Sequence, residues 1–447
     1  MRDDYRTVAD AVAADIAAGR LRPGDRLVPQ RTFARAHGIA NSTAIRVYAE
    51  LARRGLVVGE VGRGTFVRAA PPATGPALAE PAPQRIDLEL NHPVAEGQSR
   101  LLAPGLAALQ RPDVLGAALR PLTAAGTPAA RDAFAELLAR TGPRPDPGRL
   151  LFAGNGRQAI AAALAALVPP GGRLAVEALT YPVVKALATR LGIALVPVAC
   201  DEHGMRPDAL AELHRAAPLH ALYTQPTLHN PLGVTMPEGR RAELADTLGR
   251  LGLHAVEDAV WGFLAADAPP PLAAYGPDRV VLVDSLSKRL APGLTAGVVL
   301  TPRELSAPVS AALRSAGTAA SGFALAAACR WIADGAVDAV VAAKRRDAAA
   351  RARIAAERLA GFSVTADPRA CFCWWRLPGP WRADTFVAAA ARQGIAVTPA
   401  AAFAAGRGSA PHAVRIGLAS PSPQVLGDAL GVLARIARGG PEDNCAD

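Results

Sequence analysis

Lysine is scarce in this chain. Of its 49 basic residues only Lys185, Lys288 and Lys344 are lysines; the rest are arginine. Aromatic residues make up only 4% of the sequence, and the five cysteines, Cys200, Cys329, Cys371, Cys373 and Cys445, are unevenly spread. Thiols so few and so spaced exclude the disulfide framework of small secreted domains. Cys371 and Cys373 alternate in a strand-like run, so they share one face and read as packing residues. Long apolar runs are missing too. The uncharged stretch around Ser315 to Cys329 falls short of the ~18 residues that a membrane helix needs. The first residues, MRDDYRTVAD, are charged and lack the apolar core of a leader peptide. These absences predict a soluble, reduced, cytoplasmic protein with no membrane partner.

What is present is a globular composition, 51% hydrophobic and 20% charged over 447 residues, with length for about three domain-sized units. The net charge is +10, and residues 1–70 hold twelve arginines against seven acidic residues, so half of the excess sits there. A basic N-terminal segment points to a polyanion, nucleic acid above all. Its pattern agrees. Tyr5, Val8, Val12 and Ile16 recur at helical spacing, and Gly19 closes that helix. Residues 21–27 form a turn, and Gln30 to His37 make a second helix. Asn41, Ser42 and Thr43 offer caps for a third, with Ala44, Val47 and Leu51 on its buried face. LVV and TFV then bracket GEVGRG, a hairpin with Gly62, Arg63 and Gly64 at its tip. Three short helices and a basic hairpin predict a winged helix-turn-helix over 1–68. The run from Gly19 to Val67 resembles the GntR family of transcription regulators. The resemblance implies contacts to double-stranded DNA from Arg31, Ser42, Thr43 and Arg46, and from Arg63 and Gly64 of the wing. Residues 69–84, rich in proline and alanine, read as a semi-extended linker.

From 85 to 438 strand-like runs (RLAVE, IALVPVA, HALYTQ, HAVEDA, VVLVDS) alternate with Ala/Leu-rich helices. This predicts an α/β fold with a mostly parallel sheet covered by helices. Ligands of such sheets bind at the carboxyl ends of the strands. Asn230, Asp258 and Lys288 fall there, 28 and 30 residues apart, about one strand–helix unit each. Lys288 stands just past the strand VVLVDS, where burial favours the neutral, nucleophilic amine. Lys185 follows Tyr181-Pro182 in a helical pattern, and Lys344 lies in AAKRRD, which reads as a solvated helix face. Asp258 can hold a pyridinium proton and Asn230 can donate to a phenolate. Gly154, Asn155 and Gly156 between a strand and a helix can cradle a phosphate, aided by the hydroxyls of Ser285 and Ser287. Tyr181 can stack on a ring. Together these are the groups that pyridoxal phosphate requires.

AGNGRQAI, LTYP, QPTLHNPLG, VEDAVWGF, SLSKRLAPGL and AVRIGLA resemble the fold-type I pyridoxal-phosphate aminotransferases. With the winged helix in front, the whole chain resembles the MocR subfamily of GntR regulators. The resemblance implies Lys288 as the lysine that carries the cofactor, Asp258 at the pyridine nitrogen, Asn230 at the phenolic oxygen and Tyr181 on the ring. By the same resemblance Gly154 to Gly156 and Ser285 would hold the phosphate. Arg415, with Asn91 of LNHPV, would take a substrate carboxylate, a task suited to the planar guanidinium fork. It also implies a homodimer, hence paired half-sites on DNA, and an amino acid, amine or vitamin B6 effector; the alternative is a working aminotransferase with a fused DNA-binding module. Two positions depart from the family. Trp261 replaces a tyrosine that bonds the phenolic oxygen, and Thr295 replaces an arginine on the phosphate, for which Arg289 is the expected substitute. A smaller domain from about 303 closes over the site, and residues 439–447 read as a disordered tail.

Overall fold

The computed structural model describes residues 5–18, 20–21, 25–54, 56–60, 64–67, 86–406 and 410–440. Gly19, Gly62, Arg63, the linker and residues 441–447, on which expectations were placed, lie outside the described residues. At the other end of the expected tail, the Gly439 carbonyl accepts the Trp381 indole N–H at 2.8 Å, so that residue is part of the packing.

The head contains three helices, Tyr5–Ala17, Gln30–Ala36 and Asn41–Arg53, and a hairpin of Val57–Glu60 with Gly64–Val67. Val8, Val12, Phe33, Val47, Leu51 and Val57 close its core. The predicted periodicity of the first and third helices is therefore observed, since i, i+3 and i+4 positions share a face. The capping differs. Ala40 occupies the cap of the third helix without a side-chain bond, and Asn41, Ser42 and Thr43 form its first turn. Arg31, Ser42 and Arg46 are exposed and Thr43 is half-buried. The Arg46 guanidinium lies 4.2 Å from the centre of the Tyr5 ring, a cation–π contact that holds it near the head's first turn. Gly64 takes a φ of +121°, and a Cβ there would meet the Arg26 guanidinium.

The body is built on a seven-stranded sheet. Its order in space is Leu150–Ala153, Gly297–Leu300, Val280–Ser285, His254–Asp258, Ala221–Thr224, Arg173–Glu177, Ala194–Val198. Gly297–Leu300 runs antiparallel to both neighbours; the other pairings are parallel. The strands are continuous apolar runs because helices cover both faces. Val280–Ser285 is buried at all six positions. The strands that lead to Asn230, Asp258 and Lys288 are adjacent, so the predicted spacing does bring the three groups to one edge.

Helices Ser306–Ser315 and Gly322–Ala333 pack on helices of this large sheet. The second sheet, of four antiparallel strands, spans Ser363 to Gly417, and the 23-residue helix Ala336–Arg358 leads to it. The smaller unit thus begins later in the chain than the expected boundary near 303. The body's first strand, Ile86–Asp87, joins that unit by pairing with Ile395–Ala396.

Lys344 overturns its expected place on a solvated face. It is 1% exposed, and its ammonium donates to the Lys288 carbonyl at 2.8 Å and to the Leu290 carbonyl. The short helix Leu286–Arg289 ends there, and its last carbonyls have no helical partner. A buried ammonium supplies one, and burial pulls its pKa down to about 8. The run AAKRRD hid this because only one position of that helix points inward there. Lys344→Met keeps the stem and removes the donors; the Leu290 carbonyl keeps the Gln98 amide at 3.1 Å, but the Lys288 carbonyl is orphaned, so the change should destabilise the body by about 2 kcal/mol. Urea unfolding checks this; an unchanged midpoint would mean that water satisfies that carbonyl instead.

Candidate functional site

A cavity of about 310 Å³ opens where the carboxyl ends of the central strands meet the smaller unit. Its wall includes Asn91, Asn155, Gly156, Tyr181, Asn230, Asp258, Trp261, Ser285, Ser287, Lys288 and Arg415. Eleven residues scattered from 91 to 415 thus converge on one place. Gly154 lies just outside the wall, beneath the Gln158 side chain.

Asp258 terminates its strand and is 3% exposed. One carboxylate oxygen accepts the Tyr223 hydroxyl and the Gln225 amide, each at 2.8 Å. The other accepts the Val260 N–H at 3.2 Å. Burial raises its pKa to about 6 despite these donors. A cationic ring nitrogen beside it would restore the charged form. Tyr223 and Gln225 escaped the sequence reading. Their signal was the alternation in ALYTQ, which sets both on one face beside Asp258.

Lys288 sits on the turn after Val280–Ser285, its amine enclosed by the cavity wall. Nζ donates to the Asn91 carbonyl at 2.6 Å and lies 3.0 Å from His92 Nδ1. The Trp261 ring lies 5.3 Å away. Burial, then Arg157 and Arg415, lowers its pKa to about 7, which makes the free amine abundant at neutral pH. The placement inferred from the strand's end is the one observed.

The helix Gly156–Leu167 starts at this cavity, with Asn155 as its cap accepting from the Gln158 N–H at 3.0 Å. A Cβ on Gly156 would stand 3.0 Å from the Ser285 hydroxyl, so the glycine leaves a hollow between the helix start and that hydroxyl. A helix N-terminus with hydroxyls beside it suits a phosphate. Ser287 is bonded to Thr295, hydroxyl to hydroxyl, at 2.7 Å. Arg157 follows the hollow, lines the cavity and bonds Tyr181.

Arg415, 7% exposed, reaches from the small sheet, held by Thr398 at 3.1 Å and by the Glu89 carbonyl. Burial lowers its pKa to about 10. Its Nε has no partner among the described residues, and neither do the side-chain polar atoms of Asn91 nor Asn230 Oδ1. Buried polar atoms are rarely left so; here they border the cavity and fit a polar occupant.

Arg289 is the correction. It is 3% exposed, its guanidinium pairs with Asp284 at 2.5 Å and lies against Phe263, and it is not part of the cavity wall. Adjacent residues of one helical turn point about 100° apart, so Lys288 facing the cavity turns Arg289 away from it.

Pyridoxal phosphate fits these groups: a nucleophilic lysine, a buried carboxylate for its ring nitrogen, an aromatic face and a phosphate hollow. Among the described residues no group of side chains could hold a metal ion, and no helix is long and apolar enough to cross a membrane.

Known proteins agree. Residues 87–433 match the family "Aminotransferase class I and II", and residues 4–67 match "Bacterial regulatory proteins, gntR family". The uncharacterized HTH-type transcriptional regulator YdeF of Bacillus subtilis is 29% identical over 97% of this chain and 94% of its own. The pyridoxine biosynthesis transcriptional regulator PdxR of Corynebacterium glutamicum is 25% identical over 64% of this chain and 63% of its own. Among solved structures, an archaeal alanine:glyoxylate aminotransferase superposes with a TM-score of 0.72 at 22% identity, over 79% of this chain and 91% of that one. The α-aminoadipate aminotransferase LysN of Thermus thermophilus does so with a TM-score of 0.70 at 21% identity, over 80% and 93%. The chain therefore belongs to the aminotransferase class I and II family, carried behind a GntR-type head in the arrangement of the MocR regulators, and its cofactor is pyridoxal phosphate.

Proposed function

We propose that this protein is a cytoplasmic transcription regulator that holds pyridoxal phosphate on Lys288 and binds DNA according to which amino acid or amine occupies the cavity. The carrying observation is that a cavity lined by Lys288, Asp258, Asn230 and Tyr181 and a GntR-type head lie in one chain. Bound pyridoxal phosphate supplies an electrophilic aldehyde and an electron-withdrawing ring. Lys288 would offer the amine that joins it, and Asp258, oriented by Tyr223 and Gln225, would keep the ring nitrogen protonated. Asn230, with Trp261 beside it, would serve the phenolic oxygen, Tyr181 would lie on the ring, and Ser285, Ser287 and the glycine hollow would take the phosphate. Arg415 and Asn91 receive the ligand's carboxylate.

The protein acts as a homodimer in this reading. Leu119 is 76% exposed, and Leu115 and Phe323 are exposed on adjoining helices that pack together. Apolar side chains grouped in this way suit a second copy. Two heads then meet two half-sites.

Arg31, Ser42, Thr43 and Arg46 face the DNA from the second and third helices, with Gly64 at the wing. Arg46→Ala should weaken binding to the cognate operator by about 1–3 kcal/mol if Arg46 reads a base edge. Titration of the full chain on operator and unrelated DNA checks this, and equal weakening on both would make it a phosphate contact. A second reading, sustained transamination, is favoured by the Lys288 amine, whose pKa near 7 suits proton transfer. Accumulation of keto acid over many turnovers, with no effect of ligand on DNA binding, would establish it in place of the first.

A further inference from the structure

The segment that opens the body crosses from the small sheet to the cavity. Its strand Ile86–Asp87 pairs with Ile395–Ala396, the Leu88 carbonyl accepts the Gly417 N–H at 2.7 Å, and the Glu89 carbonyl accepts Arg415. Asn91 and His92 then reach Lys288. Nζ is 2.6 Å from the Asn91 carbonyl oxygen and 3.0 Å from His92 Nδ1, its only hydrogen-bond partners among the described residues. Arg157, Arg415, Lys344 and the Cys371 thiol surround the amine at longer range, and Asp87 acts on His92 from the same segment. Burial, then Lys288, pulls His92 down to about 4, so its ring is neutral and Nδ1 shares a hydrogen bond with the amine, the tautomer setting which of the two donates.

We propose that His92 and the Asn91 carbonyl form a holding site for the Lys288 amine whenever that amine is not bonded to the cofactor. His92 is then a positioning residue for exchange between the lysine and an incoming amine. This rests on the reading that Lys288 carries the cofactor. When pyridoxal phosphate joins, Nζ forms a double bond to the aldehyde carbon and the aldehyde oxygen leaves as water. The amine must first leave Asn91 and His92. When a ligand amine replaces the lysine, a carbon–nitrogen bond forms to the ligand and the one to Nζ breaks. Two protons pass from the ligand's nitrogen to Nζ, and the freed amine returns to the holding site. Holding therefore opposes capture of the cofactor and favours exchange with the ligand.

Opposite signs make the test. In the full-length protein, His92→Phe should bind pyridoxal phosphate about tenfold more tightly and need about tenfold more methylamine to displace Lys288, both read by visible absorption; tenfold corresponds to one ordinary hydrogen bond. His92→Gln, which keeps an acceptor oxygen, should stay close to the unaltered protein in both. Weakening of both equilibria in His92→Phe, or no change in either, would overturn the holding site. If the unaltered protein forms no covalent link with pyridoxal phosphate, the underlying reading fails by itself. The holding site is then decided on the cofactor-free chain by the rate at which acetic anhydride acetylates Lys288, read by mass spectrometry. Faster acetylation in His92→Phe supports it, and equal rates reject it.

Discussion

Lys288→Ala should leave the protein folded and able to bind DNA through its head, yet unable to retain pyridoxal phosphate covalently. Borohydride would then fix no cofactor to the chain. Affinity for pyridoxal phosphate should fall by at least about a hundredfold, because the aldehyde loses a nucleophile already held at the site. Asp258, Tyr181 and the phosphate hollow remain, so weak non-covalent binding should persist. Absorption spectra before and after borohydride and gel filtration check this. The fold should tolerate the change because the Lys288 side chain lines a cavity, while its carbonyl, the acceptor for Lys344, is kept. A variant that still takes up cofactor irreversibly on borohydride treatment would place the reactive amine elsewhere, and Lys344 and Lys185 are the only other lysines.

The second large effect belongs to Asp258. Asp258→Asn keeps the shape but removes the charge that pairs with a protonated ring nitrogen. Breaking a buried pair by removing one partner costs about 3–5 kcal/mol, so affinity for the cofactor should fall by roughly a hundredfold to several thousandfold. The same carboxyl sets a pH dependence. Burial raises its pKa to about 6 in the cofactor-free protein. Above that value the cofactor meets a carboxylate; below it a proton must leave the carboxyl before the pair forms. Affinity should therefore fall about tenfold per pH unit below about 6. Lys288 and the cofactor's phosphate also titrate, so the slope is best read as the difference between Lys288→Ala and the double variant Lys288→Ala/Asp258→Asn. Identical slopes in the two would show that Asp258 is not the group responsible. For folding of the empty protein the sign runs the other way from a salt-bridged aspartate. Its pKa is raised on folding, so its burial cost is absent at low pH and grows as pH rises from about 4 to about 6.

Where strand and helix alternate, the chain announced its sheet, and one polar residue per strand end announced its cavity. Asp258, Asn230 and Lys288 were legible because parallel strands put every carboxyl end on the same side. Groups that depend on direction around a short turn were not. Arg289 and Lys288 are neighbours in sequence and diverge in space, one to Asp284 and one to the cavity. Lys344 sits in a charged run whose inward position only the packed helix defines. His92 lies within the motif LNHPV, yet the role proposed for it depends on a contact across 196 residues, which no local pattern carries. The caps of the third head helix failed for a smaller reason. A run of three capping residues cannot say which of them begins the helix, and the turn began one residue before all of them.

The central claim is that chemistry at Lys288 governs binding of DNA. Its most direct test is the affinity of the cofactor-loaded, full-length protein for DNA upstream of its own coding region, measured across a panel of amino acids and amines. The account predicts that at least one compound both alters the cofactor's spectrum and shifts DNA affinity, and that Lys288→Ala abolishes the shift while still binding the DNA. DNA affinity that stays constant while compounds convert the cofactor and keto acid accumulates would contradict it.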